Sequence, residues 1–287
     1  MWRCEVSTSN WELPGSRGLP IRGTTHLPEG DPRGTIVIVH GYLGYKDYGM
    51  FPWLATRLCE QGHVVHRINL SHSGMDHGHG QFNEQAVEQD TWTCGVEDIR
   101  LVLQAISSGR LAGQGRGVVL IGHSRGGSTC LLAVGRHDGD ADFESVVGIV
   151  SMSGPASLGR LSDEAKQTLL SGGRVEMASS RTGQTLHVGQ AWLQEQLDDP
   201  EGHDLPVQVS HISRPIGLIH GAEDPTVDPS DAVTIAQANP SRSMVRLIEN
   251  GDHVFNTSNP FDPDAEPSLQ LAEVAVTAGE WIDSWVA

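Results

Sequence analysis

The stretch that decides the fold is residues 117–127, which read Gly-Val-Val-Leu-Ile-Gly-His-Ser-Arg-Gly-Gly. Its apolar run, Val118 to Ile121, is typical of a buried strand, and a helix-like segment follows the run. Ser124 is expected at the tip of a sharp turn between the two. Gly122 and Gly126 flank it, as expected where strand and helix approach too closely for side chains. The stretch therefore predicts a strand–turn–helix unit that presents a hydroxyl.

A serine in this G-x-S-x-G context is a candidate nucleophile. The alternative is a tight turn that contains a serine by chance, and the 34 glycines of the chain make a bare match weak. The preceding strand and the candidate partners downstream favour the nucleophile. A helix that begins at Ser124 also directs its first N–H groups toward charge that develops on a substrate oxygen.

Length and composition limit the classes of protein that fit. The 287 residues suit one large α/β domain, or a core with a small insertion. No apolar run is long enough to span a membrane, and the first residues lack the layout of a signal peptide, so a cytoplasmic protein is expected. The net charge of −17 argues against nucleic acid and membrane surfaces as partners. The four cysteines are scattered and are expected to be reduced. A homodimer is compatible with the sequence.

Further apolar runs alternate with helical patterns along the chain, and each run is typical of a strand buried on both faces. This alternation predicts an α/β fold with a mostly parallel sheet. One long helix is predicted over 84–107, with Glu97 and Asp98 as solvated carboxylates. The additional predicted strands cover residues 3–9, 19–27, 35–39, 64–68, 146–152, 215–220 and 244–248.

Residues 156–205 interrupt this alternation. They are more polar and contain two candidate short helices, around 161–170 and 188–196, with a candidate β-hairpin between them. A segment of this length between two core strands predicts a cap or lid insertion. The core is then formed by residues 1–155 and 206–287.

The loop that directly follows the strand at 35–39 reads His-Gly-Tyr-Leu-Gly-Tyr-Lys-Asp over residues 40–47. Its glycines would let a ligand approach the backbone. The N–H of Tyr42 is therefore the best candidate donor to an oxyanion, and the N–H of Arg125 is the second. The alternative is a glycine-rich loop shaped only for its turn, and the presence of Ser124 favours the donor.

A serine hydroxyl needs a base within hydrogen-bond reach and a group that orients that base. Ser124, Asp224 and His253 supply these groups, in this order, on loops after buried strands. His253 is chosen among 14 histidines because it lies on the loop after the last strand. Asp228 is the rival of Asp224 and Glu223 is a more distant one, but Asp224 lies nearer the strand end.

Three side chains are candidate substrate contacts. His123 and Tyr45 lie beside the predicted nucleophile and in the predicted oxyanion loop. Trp192 lies on the predicted cap, where it would either face a substrate pocket or pack in the interior, and both interpretations stay open.

The loop over residues 69–80 contains His72, Asp76, His77 and His79. A metal site is one interpretation, but this spacing in a glycine-rich loop fixes no coordination geometry, and no second cluster completes a site. The loop is therefore predicted to line the rim of the active site, without a metal.

With these residues identified, the chain resembles the α/β-hydrolase superfamily. The oxyanion, nucleophile, acid and base segments match in HGYLG at 40–44, GHSRGG at 122–127, HGAED at 220–224 and GDH at 251–253. Within the superfamily, the first loop and the insertion are similar to those of cinnamoyl and feruloyl esterases. They are also similar to serine aminopeptidase-like and dienelactone-hydrolase-like groups.

The resemblance implies a mostly parallel eight-stranded sheet with an antiparallel second strand, helices on both faces, a small cap after the sixth strand and no cofactor. Together with the residues, it predicts a serine hydrolase that cleaves carboxylic esters of small molecules through an acyl-enzyme. A serine peptidase or aminopeptidase-like amidase and an acyltransferase are alternatives. A non-catalytic, ligand-binding protein of the same fold is a remote one.

Overall fold

A computed structural model gives the fold and describes residues 6–75, 80–179, 182–262 and 264–286. Within these ranges the chain forms ten strands. They are β1 Ser7–Pro14, β2 Pro20–Leu27, β3 Gly34–Val39, β4 His63–Asn69, β5 Val118–His123, β6 Val146–Met152, β7 Val175–Ala178, β8 Thr185–Val188, β9 Ile216–Gly221 and β10 Ser243–Ile248.

Helices connect most of these strands. In the described ranges they are α1 Phe51–Glu60, α2 Glu84–Glu88, α3 Trp92–Ser107, α4 Arg125–His137, α5 Asp163–Leu170, α6 Gln190–Asp198, α7 Leu205–Ser210, α8 Ser230–Ala238 and α9 Leu269–Val286. None of these helices has the length and apolar character that crossing a membrane requires.

The main sheet has eight strands in the order β1-β2-β4-β3-β5-β6-β9-β10. β2 pairs antiparallel with both β1 and β4, and every other pairing in this sheet is parallel. This is the predicted architecture, an α/β-hydrolase fold, and it is confirmed. Because the strands from β3 onward run parallel, their carboxyl ends meet along one edge of the sheet.

Alternate residues of the central strands face two separate hydrophobic cores. In β3, Val37 and Val39 pack in the core that contains residues of α3 and α4, whereas Ile36 and Ile38 pack in the core that contains residues of α1 and α9. This period of two places helices on both faces of the sheet. Burial on both sides holds the carboxyl ends of the central strands rigidly.

The segment between β6 and α7 contains α5, the two-stranded sheet of β7 and β8, and α6. It is joined to residues 82–93 of the chain. The Gln184 side-chain amide both accepts from the N–H of Phe82 (2.7 Å) and donates to its carbonyl oxygen (3.0 Å). The N–H of Trp92 donates to Oε1 of Glu195 at 2.6 Å. These bonds fix the segment beside the start of α3.

The prediction of one helix over 84–107 was wrong, because α2 ends at Glu88 and α3 begins at Trp92. Thr91 separates the two helices, since its side chain accepts from the N–H of Cys94 and caps α3. Asp98 was also predicted to be solvated, but it is fully buried. Its carboxylate accepts from the backbone N–H groups of Ser16 (2.8 Å) and Ser71 (2.6 Å), which compensate for the lost hydration.

Candidate active site

Ser124 forms the turn between β5 and α4 in a left-handed backbone conformation, with φ 53° and ψ −127°. A β-carbon at Gly122 would lie 2.2 Å from the carbonyl oxygen of Gly126. A β-carbon at Gly126 would lie 2.4 Å from the carbonyl oxygen of His40. Both glycines are therefore needed for the close approach of strand, turn and helix, and the serine stands at the carboxyl edge of the sheet.

Asp224 and His253 are in direct contact. Nδ1 of His253 lies 2.7 Å from Oδ2 of Asp224, and the Asp224 side chain is fully buried. Because Nδ1 faces a carboxylate, it is assigned the proton, and Nε2 is then the basic nitrogen of the neutral ring. The two rival carboxylates, Asp228 and Glu223, are exposed.

The Asp224 carboxylate receives three further hydrogen bonds. Oδ1 accepts from the N–H groups of Thr226 (2.8 Å) and Val227 (3.0 Å), and Nε2 of His220 lies 3.2 Å from Oδ2. Burial by itself raises the pKa of the carboxyl, but the bonds from His220, His253 and the two N–H groups outweigh it and hold the pKa well below its usual range. Asp224 is therefore ionised at neutral pH.

Ser124 and His253 line one cavity of about 90 Å³. Its wall also includes Gly41, Tyr42 and Tyr48. The serine, the basic histidine and the loop after β3 therefore meet in the same small space at the carboxyl edge of the sheet.

Two backbone N–H groups lie at this cavity and at Ser124. Tyr42 lines the cavity, and its N–H has no acceptor in the part of the chain that the structure describes. Arg125 is the first residue of α4, and the N–H groups of the first turn of a helix have no acceptor within the helix. Both groups are therefore placed where they could bind a substrate oxygen.

The Arg125 side chain lies between two aromatic rings. Its guanidinium carbon is 4.6 Å from the ring centroid of Trp92 and 5.3 Å from that of Tyr42, and NH1 lies 2.6 Å from Oδ2 of Asp90. Burial raises the pKa of the Tyr42 phenol to about 12, so the hydroxyl keeps its proton at neutral pH. Asp90 and Trp92 were not predicted to be near the site. An aspartate and a threonine before an apolar run are a helix-start signal that could have located the start of α3, although not its contact with Arg125.

A second cavity, of about 200 Å³, also contains Ser124 in its wall. Trp192 of α6 lies in this wall, which fits one of the two interpretations that the sequence left open. The wall further includes side chains of the 156–205 segment, namely Ser157, Leu158, Arg160, Leu161, Met177 and Val188.

Of the other two candidate substrate contacts, His123 lines the 90 Å³ cavity together with Ser124, whereas Tyr45 lies outside the described walls of both cavities. His123 is buried, and its Nε2 lies 2.8 Å from the carbonyl oxygen of His253, so it contacts the histidine loop. Tyr45 was also predicted to contact substrate, and this stays a prediction. It is buried in a small hydrophobic cluster with Phe82 and Leu186, and it lines neither cavity at Ser124, because the loop turns its ring into the interior.

No group of potential metal ligands occurs among the described residues. His72 is buried, and its Nδ1 lies 2.8 Å from Oγ of Ser71. Asp76, His77 and His79, which completed the metal hypothesis, lie outside the described residues.

The amino-acid sequence matches a known protein family. The sequence profile of the alpha/beta hydrolase family matches residues 36–263, which is most of the chain and includes each predicted catalytic residue. The chain belongs to the alpha/beta hydrolase family. Comparison of this hydrolase with curated protein sequences finds no significant match.

Solved structures of esterases and of a peptidase share the fold of this alpha/beta hydrolase. Est1E from Butyrivibrio proteoclasticus with ferulic acid bound is 16% identical, with a TM-score of 0.69 over 95% of this chain and 98% of that one. The esterase domain of a Rhodothermus marinus protein is 18% identical, with a TM-score of 0.64 over 98% and 100%. A puromycin-hydrolyzing peptidase from Mycobacterium tuberculosis is 19% identical, with a TM-score of 0.65 over 98% of this chain and 39% of that one.

Proposed function

We propose that this alpha/beta hydrolase cleaves carboxylic esters of small molecules through an acyl-enzyme intermediate, with Ser124, His253 and Asp224 as its catalytic triad. The observation that carries the proposal is the Asp224–His253 hydrogen bond of 2.7 Å at a cavity that Ser124 also lines. The bond orients a basic Nε2 and stabilises the imidazolium that forms when it takes a proton.

In the first step, Oγ of Ser124 attacks the ester carbonyl carbon while Nε2 of His253 takes the hydroxyl proton. The carbonyl π electrons move to oxygen, and the N–H groups of Tyr42 and Arg125 bind the resulting oxyanion. The carbonyl then re-forms and the C–O bond to the alcohol breaks. His253 gives its proton to the departing alkoxide, which leaves as the neutral alcohol.

In the second step, water takes the place of the alcohol. Nε2 of His253 removes a proton from the water, and the hydroxide attacks the carbonyl carbon of the acyl-enzyme. Collapse of the second oxyanion intermediate breaks the bond to Oγ of Ser124, and the serine recovers the proton from His253. The products are one carboxylic acid and one alcohol, with no cofactor and no metal in the cycle.

The charge around Ser124 supports esters rather than the amine-bearing substrates of an aminopeptidase. An aminopeptidase needs a carboxylate to bind the free amine of its substrate. Among the described residues, neither cavity at Ser124 has an aspartate or glutamate in its wall. The likeness in fold to the Mycobacterium tuberculosis peptidase keeps amide hydrolysis as the alternative. An acyltransferase would use the same first step, with an alcohol or amine in place of water.

Hydrolysis of a series of p-nitrophenyl esters and methyl ferulate by the wild type and by Ser124→Ala tests the proposal. We expect wild-type turnover and a loss of at least about 10⁴-fold in kcat for the variant. Ser153→Ala is the matched control, because Ser153 is buried at the end of the neighbouring strand β6 and its Oγ has no hydrogen-bond partner in the described part of the chain. Full activity in Ser124→Ala would contradict the mechanism.

If no tested ester is hydrolysed, covalent labelling distinguishes a hydrolase with another substrate from a non-catalytic protein. A fluorophosphonate should add one phosphonyl group at Ser124 and none in Ser124→Ala, as read by mass spectrometry of the intact chain and its peptides. Failure to label folded wild type would favour a ligand-binding role. The cytoplasmic location and the homodimer stay predictions from the sequence.

A further inference from the structure

Two cavities meet at Ser124, and they share few residues. Only Ser124 and Tyr42 occur in the described walls of both the 200 Å³ and the 90 Å³ cavity. His253 lines the smaller cavity alone, and Trp192 lines the larger one alone. An ester whose carbonyl carbon lies at Ser124 would therefore extend one of its two halves into each cavity.

The position of His253 decides which half enters which cavity, if the proposed function holds. The histidine must hand its proton to the departing alkoxide, so the alcohol oxygen has to lie within hydrogen-bond reach of Nε2. The alcohol therefore occupies the smaller cavity, and the water of the second step enters there too. The acyl group therefore occupies the larger cavity.

Volume sets the size of each half. An apolar protein cavity of about 150 Å³ holds benzene, so each carbon atom needs about 25 Å³. On this scale the larger cavity of about 200 Å³ holds about eight carbon atoms, and the smaller cavity of about 90 Å³ holds about four. The acid is then of medium length and the alcohol is small.

Charge in the larger cavity sets the chemistry of the acid. Its wall is mainly apolar, and the charged side chains in its described wall are Arg125 and Arg160. Each is paired with a carboxylate, Arg125 with Asp90 at 2.6 Å and Arg160 with Asp231. A free carboxylate or amine on the acyl group would lose its hydration there without an unpaired partner of opposite charge.

We infer that the substrates are esters of neutral, apolar acids of medium chain length with small alcohols, the acyl chain lying against Leu161 and Trp192 and the alcohol beside His253. The inference rests on the proposed function and adds the order and size of the two halves. It makes the two cavities independent determinants of specificity.

The test measures hydrolysis by pH-stat titration on two series of esters. Ethyl esters of acids from two to twelve carbons give the acid profile, and octanoate esters of alcohols from methanol to octanol give the alcohol profile. We expect kcat/KM to peak at an acid of about eight carbons and to fall at least about tenfold for alcohols beyond about four carbons. Octanedioic acid monoethyl ester should be a poorer substrate than ethyl octanoate.

Variants of residues that line one cavity alone separate the two profiles. Trp192→Ala, with Leu161→Ala as a second variant of the same wall, should move the acid optimum to longer chains by about two carbons or more and leave the alcohol profile unchanged. Val254 lines the smaller cavity, and the larger side chain in Val254→Phe would reduce the volume of that cavity. The variant should therefore hydrolyse only methyl and ethyl esters, without a change in the acid optimum. Circular dichroism confirms that each variant is folded.

Each outcome has one interpretation. A crossed result, in which Trp192→Ala and Leu161→Ala change the alcohol profile and Val254→Phe changes the acid profile, overturns the inference. A preference for the octanedioate monoester overturns the neutral acyl group. If these results accompany hydrolysis that Ser124→Ala abolishes, the proposed function stands and the inference alone fails. If folded wild type hydrolyses no ester in either series but does hydrolyse p-nitrophenyl esters or methyl ferulate, the inference alone fails; if it hydrolyses none of these esters, both fail.

Discussion

Nε2 of His123 lies 2.8 Å from the carbonyl oxygen of His253, and the two imidazole rings are 4.9 Å apart. His123 is the last residue of β5 and immediately precedes Ser124, whereas His253 lies in the loop after β10. The bond therefore ties the loop of the proposed base to the strand that carries the proposed nucleophile. We therefore expect His123 to act as a positioning residue.

Loss of this bond should lower kcat more than it changes KM. His123→Phe keeps a ring in the buried site but removes the donor, and we expect kcat to fall about fivefold, since a hydrogen bond contributes about 1 kcal/mol. His123→Gln can still donate through its side-chain amide and should recover most of that loss. A rise in KM at constant kcat would instead support the substrate contact that the sequence predicted.

Asp224 and Asp228 offer a matched pair of variants, because both were candidates for the acid of the triad. Asp224→Asn should lower kcat by about 10⁴-fold on the esters used above, since the amide favours the wrong tautomer of His253. Asp228 is exposed and accepts from the N–H of Ser230, so Asp228→Asn should stay within about twofold of wild type. Equal losses in the two variants would remove Asp224 from the triad.

The ion pair between Arg125 and Asp90 should behave as a buried pair, because the two side chains are only 13% and 16% exposed. Arg125→Met leaves Asp90 without its cation and should lower the free energy of unfolding by about 3–5 kcal/mol. The double variant Arg125→Met/Asp90→Asn should regain most of this loss. Urea unfolding measures both values, and additive losses in the double variant would contradict the coupling.

Arg125→Met also distinguishes the role of the Arg125 side chain from that of its backbone N–H. Arg125→Met keeps the N–H that is proposed to bind the oxyanion, so kcat should fall far less than the 10²- to 10³-fold, or about 3–4 kcal/mol, that loss of an oxyanion donor costs.

The stability of the fold should decrease in acid through His66. The ring is fully buried, and burial lowers its pKa from 6.5 to about 4. Between these values the unfolded chain binds a proton that the folded chain does not, so the contribution is complete above pH 6.5 and is lost as pH falls through about 4. The shift corresponds to about 3 kcal/mol.

Urea unfolding of wild type and His66→Gln at pH 7 and pH 4 measures this contribution. Glutamine can keep the contacts with the hydroxyl of Thr25 and the carbonyl oxygen of Ala112 that the ring makes. The difference in stability between the two pH values should be smaller in the variant by about 3 kcal/mol. An identical pH dependence in both proteins would show that the pKa of His66 is not lowered in the folded chain.

Much of this fold could be predicted from the sequence, because its central strands consist of continuous apolar runs. Loops that contain glycine and polar residues follow several of these runs. Parallel strands bring their carboxyl ends to one edge, so residues far apart in the chain, such as Asp224 and His253, are expected near each other. The turn at Ser124 is recognisable from the G-x-S-x-G pattern at 122–126, since close packing excludes side chains from both glycine positions.

The surroundings of the site could not be predicted in the same way. Asp98 was assigned to solvent because its helix looked amphipathic, yet N–H groups from two distant segments surround its carboxylate. The pair of Asp90 and Arg125 depends on a break between two helices that hydrophobic periodicity does not detect. Tyr45 has the same local sequence context whether its loop turns the ring inward or outward. These outcomes depend on tertiary contacts, which leave no local pattern.

The backbone at Ser124 carries a conflict between folding and chemistry. With φ at 53°, a residue that has a β-carbon is strained there by about 1–3 kcal/mol, whereas glycine adopts this region freely. We therefore expect Ser124→Gly to raise the stability of the fold while it removes the hydroxyl. If the proposed reaction holds, the serine gives up backbone stability at this position for the hydroxyl that the chemistry requires.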